Sequence, residues 1–258
     1  MALINLSYTG TNQEICEITL NRPEVLNALN TALLTELDET LSALKPHPKS
    51  LKPIPPLQLL ERGLGGEVKT LIIRGAGEKA FSAGADLKER VGMSLDQTRT
   101  FLKQINHAFD QIANLPMPTI AYMNGLAFGG GLELALACDI RIMAPHAQTG
   151  LTECALGIFP GAGGTGRLPQ VIGYAKACEL IFSAKKINAQ EALNIGLVNQ
   201  ISDSPYELAS QIAACSGVSL RAAKEAMKTG DIARCYEQVL KSPERVAALK
   251  KFTSNRPA

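Results

Sequence analysis

"PTIAYMNGLAFGGGLELALACDIRIMA", residues 118–144, carries the pattern on which the fold turns. A short apolar run up to Met123 breaks at Asn124-Gly125. "LAFGGG" follows, then "LELALA", made almost wholly of Ala and Leu, then a second apolar run from Asp139. Apolar runs bounded by turn residues read as buried strands, and the Ala/Leu segment reads as a helix. Strand, Gly-rich turn, helix, strand is the unit of an α/β fold. The glycines open the helix, where backbone N–H groups lack intrahelical acceptors and the dipole favours negative charge. They also let another molecule approach the backbone closely, although tight packing of the helix alone would call for the same residues.

One acid, Glu133, sits inside that apolar helix. A carboxylate there is costly to ionise, which raises its pKa toward a value useful for acid/base work. The alternative is an ordinary acid capping the first turn of its own helix. A second acid, Glu153, lies in "GLTECALGIFPGAGGTGRLP" (150–169) beside Leu151 and the Ala155–Ile158 stretch. Two acids in apolar settings, each near a Gly-rich turn, point to a general acid/base pair. "GAGGTG" (161–166) has the form G-x-G-x-x-G, but it follows Pro160 rather than a strand, and Pro169 is expected to close it. It reads as a turn and a helix start, without a dinucleotide site. "FSAGADLKE" (81–89), after the strand "TLIIRGAG", is a loop of small residues and a second source of backbone N–H groups. There is no G-x-S-x-G, and no histidine sits beside a nucleophile. Asp139 is expected to start a strand and pair structurally.

Around this centre, "LINLSY" and "EICEITL" read as a strand pair. Leu33, Leu34, Leu37, Leu41 and Leu44 recur at helical spacing from Thr31, and a helix is predicted from an N-cap at Ser94 to Pro116. Between them, five prolines fall from Pro46 to Pro56, which predicts an exposed, partly extended excursion. From Gly166 onward helical patterns dominate: "YAKACELIFSA", "NAQEALNIG", "SPYELASQIAACSG", "SLRAAKEAMKTG" and "SPERVAALKKFTS". The expectation is an α/β core over residues 1–200 and a helical region over 201–258. No internal sequence repeat is visible.

The 258 residues carry a net charge of +2, which gives no reason to expect nucleic-acid binding. No run of about 20 apolar residues is present, so no membrane span is expected. "MALINLSYTG" lacks a basic region followed by an apolar run, and a cytoplasmic protein is expected. The six cysteines are scattered and predict buried thiols in a reducing compartment. Three histidines without H-x-x-x-H spacing predict no metal site.

Taken together, "ITLNRPEVLNALN", "AFSAGADLKE", the 118–144 stretch, "GIFPGAGGTGRLPQVIG" and "ALNIGLVNQI" resemble the enoyl-CoA hydratase/isomerase (crotonase) family. "SAGADLKERVGMS", "DQIANLP" and "GGGLELALACDIR" are most similar to its methylglutaconyl-CoA hydratase branch, which includes an AU-rich-RNA-binding homologue. The resemblance implies an α/β spiral of ββα units, the crotonase (ClpP-like) fold, with a C-terminal helical trimerisation region. It implies an acyl-CoA thioester substrate, a homotrimer or dimer of trimers, and no cofactor, CoA being part of the substrate. On the matching positions, Glu133 and Glu153 would be the catalytic acids and Ala85 and Gly130 the oxyanion-hole donors. Ala83, Ala85, Asp86, Leu87, Lys88, Gly130 and Phe252 would contact the CoA thioester, Phe252 in a neighbouring subunit. Leu87, Val91, Met93, Phe128, Leu156 and Phe159 would set the depth of the acyl pocket. Both acids being present favours hydration over isomerisation, dehalogenation or thioester hydrolysis on the same fold. An RNA-binding homologue with residual hydratase activity is a further alternative, with Lys45, Lys49 and Lys52 as its basic strip. Two departures from the family pattern stand out. The segment 45–66 is long, and the region from Ser202 to Met227 is short and lacks a proline before its last helix.

Overall fold

The computed structural model describes residues 2–44 and 67–254; the proline-rich excursion and its three lysines lie outside them. In chain order the strands are β1 (Ile4–Thr9), β2 (Ile15–Leu20), β3 (Thr70–Gly75), β4 (Ala80–Ser82) and β5 (Thr119–Met123), followed by β6 (Leu126–Phe128), β7 (Ile140–Met143), β8 (Gln148–Gly150), β9 (Ile187–Asn188) and β10 (Gln200–Ile201). The main helices of the core are α1 (Thr31–Ala43), α2 (Leu87–Val91), α3 (Leu95–Ala113), α4 (Gly130–Ala137), α5 (Gly164–Ile172), α6 (Tyr174–Ser183) and α7 (Ala189–Asn194). Four more follow: α8 (Tyr206–Ala213), α9 (Gly217–Thr229), α10 (Ile232–Leu240) and α11 (Pro243–Ser254).

Six strands form one sheet in the order β1-β2-β3-β5-β7-β10, and four form a second in the order β4-β6-β8-β9. Among the described residues, only the β1–β2 hairpin and the β8–β9 pair are antiparallel. Successive strands alternate between the sheets: β3 then β4, β5 then β6, β7 then β8. Each pair leads into helical structure, so the ββα unit recurs in space although the sequence shows no repeat. What recurs is a break after a long strand, and each break is made by different residues. At the second break Asn124 is buried; its Oδ1 accepts from Gly75 N (2.9 Å), and its Nδ2 donates to Gly75 O (3.0 Å) and Gly77 O (2.6 Å). A side chain thus replaces the ladder bonds lost where the chain leaves one sheet for the other.

The core is apolar and continuous. Leu33, Leu34, Leu37 and Leu41 of α1 are fully buried, as the helical spacing predicts. Helix α3 starts from a capping box at Ser94 and Gln97 and buries Phe101, Ile105, Phe109 and Ile112. Each such side chain is worth roughly 1.5–3 kcal/mol of transfer free energy. Asp139 accepts from Thr119 N and Oγ1 and pairs with the buried Lys224 Nζ at 2.6 Å, which ties α9 to the end of α4. Helix α10 falls inside the helical region expected over 201–258, between two of the segments quoted for it. Only its Cys235 is buried. The thiol expectation needs correction: Cys16, Cys138 and Cys235 are buried, Cys154 and Cys178 are intermediate, and Cys215 is exposed. No helix of the described residues is long and apolar enough to cross a membrane.

Candidate active site

The site forms where β4 and β6, parallel neighbours in the second sheet, both end. After β4 the chain turns at Gly84 with φ +92°; after β6 it turns at Gly129 with φ +52°. Both lie in the left-handed region, where glycine carries no steric penalty. The two turns press together: a Cβ on Gly84 would stand 2.7 Å from Phe128 O and 3.0 Å from Gly130 N. A Cβ on Gly130 would stand 3.4 Å from Ala85 N. Two backbone N–H groups from separate strands therefore border the same small space. Among the described residues, neither Ala85 N nor Gly130 N donates to a backbone acceptor. Gly130 is the first residue of α4, so its N–H has no partner within the helix.

Glu133 lies one turn into α4 and is 3% exposed. Its Oε1 accepts from Ala162 N and Gly164 N, both at 2.8 Å. The sequence offers an acid/base carboxylate in an apolar helix or, alternatively, an acid capping the first turn of that helix. In the structure this oxygen instead accepts from the turn that opens α5. Burial pushes the Glu133 carboxyl above the ordinary range, against the pull of these two N–H groups and of Arg167. Glu153 opens a 3-10 turn (Glu153–Leu156), is 9% exposed, and its Oε2 is buried without a hydrogen-bond partner. Desolvation, aided by the nearby Glu133 charge, raises its pKa to about 7. The two acids thus share one space but not one environment.

That space is a cavity of about 410 Å³. Ala83, Ala85, Leu87, Gly130, Glu133 and Glu153 all line it. Asp86, Lys88 and Phe252, expected as CoA contacts, do not. Asp86 turns away: its Oδ2 pairs with Arg22 (3.0 Å) and its Oδ1 caps α2 through Lys88 N and Glu89 N. Lys88 and Phe252 are exposed on α2 and α11. Of the expected pocket residues, Leu87, Leu156 and Phe159 face the cavity, whereas Val91, Met93 and Phe128 do not. The sequence reading missed the opposite wall, made by Arg90, Thr98, Phe101, Leu102 and Ile105. Thr98, Phe101, Leu102 and Ile105 fall at i, i+3, i+4 and i+7 on α3, a spacing that signals one helix face but not what the face borders. Pro169 does not close the 161–166 turn, as expected, but lies inside α5, which runs on to Ile172. Among the described residues, no group of three or more His, Cys, Asp or Glu is placed to hold a metal ion.

The profile of the enoyl-CoA hydratase/isomerase family matches residues 59–253. The chain belongs to that family. Its enoyl-CoA hydratase/isomerase relatives include the mitochondrial methylglutaconyl-CoA hydratase of Mus musculus, 40% identical over 95% of this chain and 79% of that protein. The enoyl-CoA isomerase/hydratase fer4 of Mycosarcoma maydis is 38% identical over 94% of this chain and 90% of its own. Among solved structures, enoyl-CoA hydratase from Bacillus anthracis superposes with a TM-score of 0.88 at 38% identity, covering 99% of this chain and 97% of that one. The alternation of strands between two sheets is therefore the crotonase fold, and the C-terminal helices are part of it.

Proposed function

We propose that the chain is an enoyl-CoA hydratase, adding water across the C2=C3 bond of a 2-enoyl-CoA thioester to give a 3-hydroxyacyl-CoA. The observation that carries this reading is the pair of buried carboxylates in unlike environments, beside two uncommitted N–H groups. In this scheme the thioester oxygen sits between Ala85 N–H and Gly130 N–H, and the charge that grows on it as C3 is attacked is stabilised there and by the α4 dipole. Glu133, held by two N–H donors, is the anion: it orients the water and takes its proton as oxygen bonds to C3. Glu153, protonated below about pH 7, gives its proton to C2. Transfer of the gained proton from Glu133 to Glu153 restores the starting state. The scheme calls on no cofactor.

Lys88 and Phe252 remain proposed CoA contacts at the mouth of the site, Phe252 in a neighbouring subunit. Asp86 serves by holding the Ala85 loop against Arg22. We also propose a trimer or dimer of trimers. Ile232, Tyr236 and Leu240 form an exposed stripe on α10 at four-residue spacing, the kind of apolar surface that a subunit contact covers.

The rival within the family is isomerisation, in which one carboxylate moves a proton between C4 and C2 and no water adds. Crotonyl-CoA and a 3-enoyl-CoA separate the two. Hydration bleaches the conjugated thioester absorbance of the first and adds the mass of one water. Gain of that absorbance from the second, with no water added to the first, would replace the hydratase reading by the isomerase one.

A further inference from the structure

The turn that holds Glu133 is itself held. Arg167 Nη1 donates to Ala162 O at 3.2 Å, Arg167 N donates to Gly163 O at 2.9 Å, and Arg167 Nη2 pairs with Asp110 Oδ1 at 2.6 Å. Gly163 has φ +99°, and a Cβ on it would overlap the guanidinium, so Arg167 packs directly on the bare backbone of the turn. The result is a relay of contacts: Asp110 on α3, Arg167 on α5, the 162–164 backbone, then Glu133 on α4. The Arg167 side chain is 20% exposed and its Asp110 partner 64%, so the relay runs from solvent to the buried acid.

We infer that Arg167 is a positioning residue, which fixes the Ala162–Gly164 turn so that its two N–H groups hold the Glu133 carboxylate in one place. This inference rests on the acid/base reading of Glu133 given above. Arg167 does not line the cavity; it acts on Glu133 through the turn and through its charge. Its positive charge favours the ionised form of Glu133. The other charged groups near Glu133 are Glu153 across the cavity and Arg90 on its far wall, with Asp110 beyond Arg167. Glutamine in place of Arg167 keeps hydrogen-bonding capacity but loses the charge and the fork that spans the turn and Asp110.

Two readouts test it, one of which needs no turnover. The titration of Glu133 is followed by the carboxylate infrared band that Glu133→Gln lacks. Arg167→Gln is expected to move that titration to higher pH and Arg167→Lys to restore it in large part. With crotonyl-CoA, Arg167→Gln is expected to lower kcat by about tenfold or more while KM stays within about twofold, and to move the acid limb of the kcat profile upward in pH. Asp110→Asn, a change at an exposed group, is expected to lower kcat by a smaller factor, because Arg167 loses its anchor on α3 while its charge stays. An unshifted Glu133 titration in Arg167→Gln overturns the inference. If that variant does not fold, an unchanged kcat in Asp110→Asn overturns it. A wild-type chain that fails to hydrate any enoyl-CoA would sink the functional reading instead, and the infrared titration would still decide the role of Arg167.

Discussion

The space beside the Ala85 nitrogen is the space that a Cβ on Gly130 would fill, at 3.4 Å. The nearest other atom to such a Cβ, Leu29 Cδ1, is also at 3.4 Å, so a methyl group fits with small adjustment. Gly130→Ala is therefore expected to fold and to place its methyl where the proposed scheme puts the thioester oxygen. Loss of one oxyanion donor typically costs about 10²–10³ in kcat. Wild-type kcat in the folded variant would show that the carbonyl is not held there.

The next glycine has a different role. A Cβ on Gly131 would overlap Ser82 O, a backbone atom that cannot swing aside. Gly131→Ala is expected to destabilise the whole protein by roughly 1–3 kcal/mol or more, the range for overpacking. Thermal melts of the two alanine variants side by side check the contrast. Equal melting temperatures would contradict it.

Glu133→Gln and Glu153→Gln are each expected to lower hydration by about 10²–10⁴. In the proposed scheme both acids serve one water, and the double variant should then lose less than the product of the single losses. Steady-state kinetics of the four proteins measures this. Fully multiplicative losses would mean that the two carboxylates act independently. A silent Glu133→Gln beside a dead Glu153→Gln would point to one-acid chemistry.

Glu153 also links stability to pH. Its folded pKa of about 7 lies above the ordinary 4.5, so the folded state holds this proton more tightly than the unfolded chain. The stability it contributes is full below about pH 4.5 and is lost as pH rises through 7. The difference reaches about 3 kcal/mol at alkaline pH, taking 1.36 kcal/mol per pH unit. Glu153→Gln removes that penalty, so its melting temperature is expected to exceed the wild type by several degrees at pH 8.5 and by much less at pH 5. An equal gain at both pH values would show that the carboxyl is not held protonated. The same group predicts a descending limb near pH 7 in kcat/KM for the free enzyme.

The strand-turn-helix unit, both acids and the two glycine-rich turns are legible in the sequence because each is local: apolar runs, glycine placement, an acid among apolar neighbours. The alternation between two sheets is not, because three-residue strands such as β4 and β8 carry too little periodicity to be read. The partner of Glu133 is not legible for a related reason. Nothing in "GGGLELALA" indicates that its acceptor oxygen would be filled from residues 162 and 164. Asp86 reads as a site residue because it sits in the site loop, yet one oxygen caps the start of α2, a local bond, and the other is taken by Arg22, a contact that only the tertiary structure creates.

The bonds that secure Glu133 span 29 and 31 residues of chain. Contacts of that range form late relative to local helices, since loop closure must come first. The acid is buried in its helix as soon as α4 docks, but it is seated only when the segment beginning at Gly161 closes over it. During refolding, the return of secondary structure and the return of turnover are therefore separate events, and catalysis reports the arrival of the later segment.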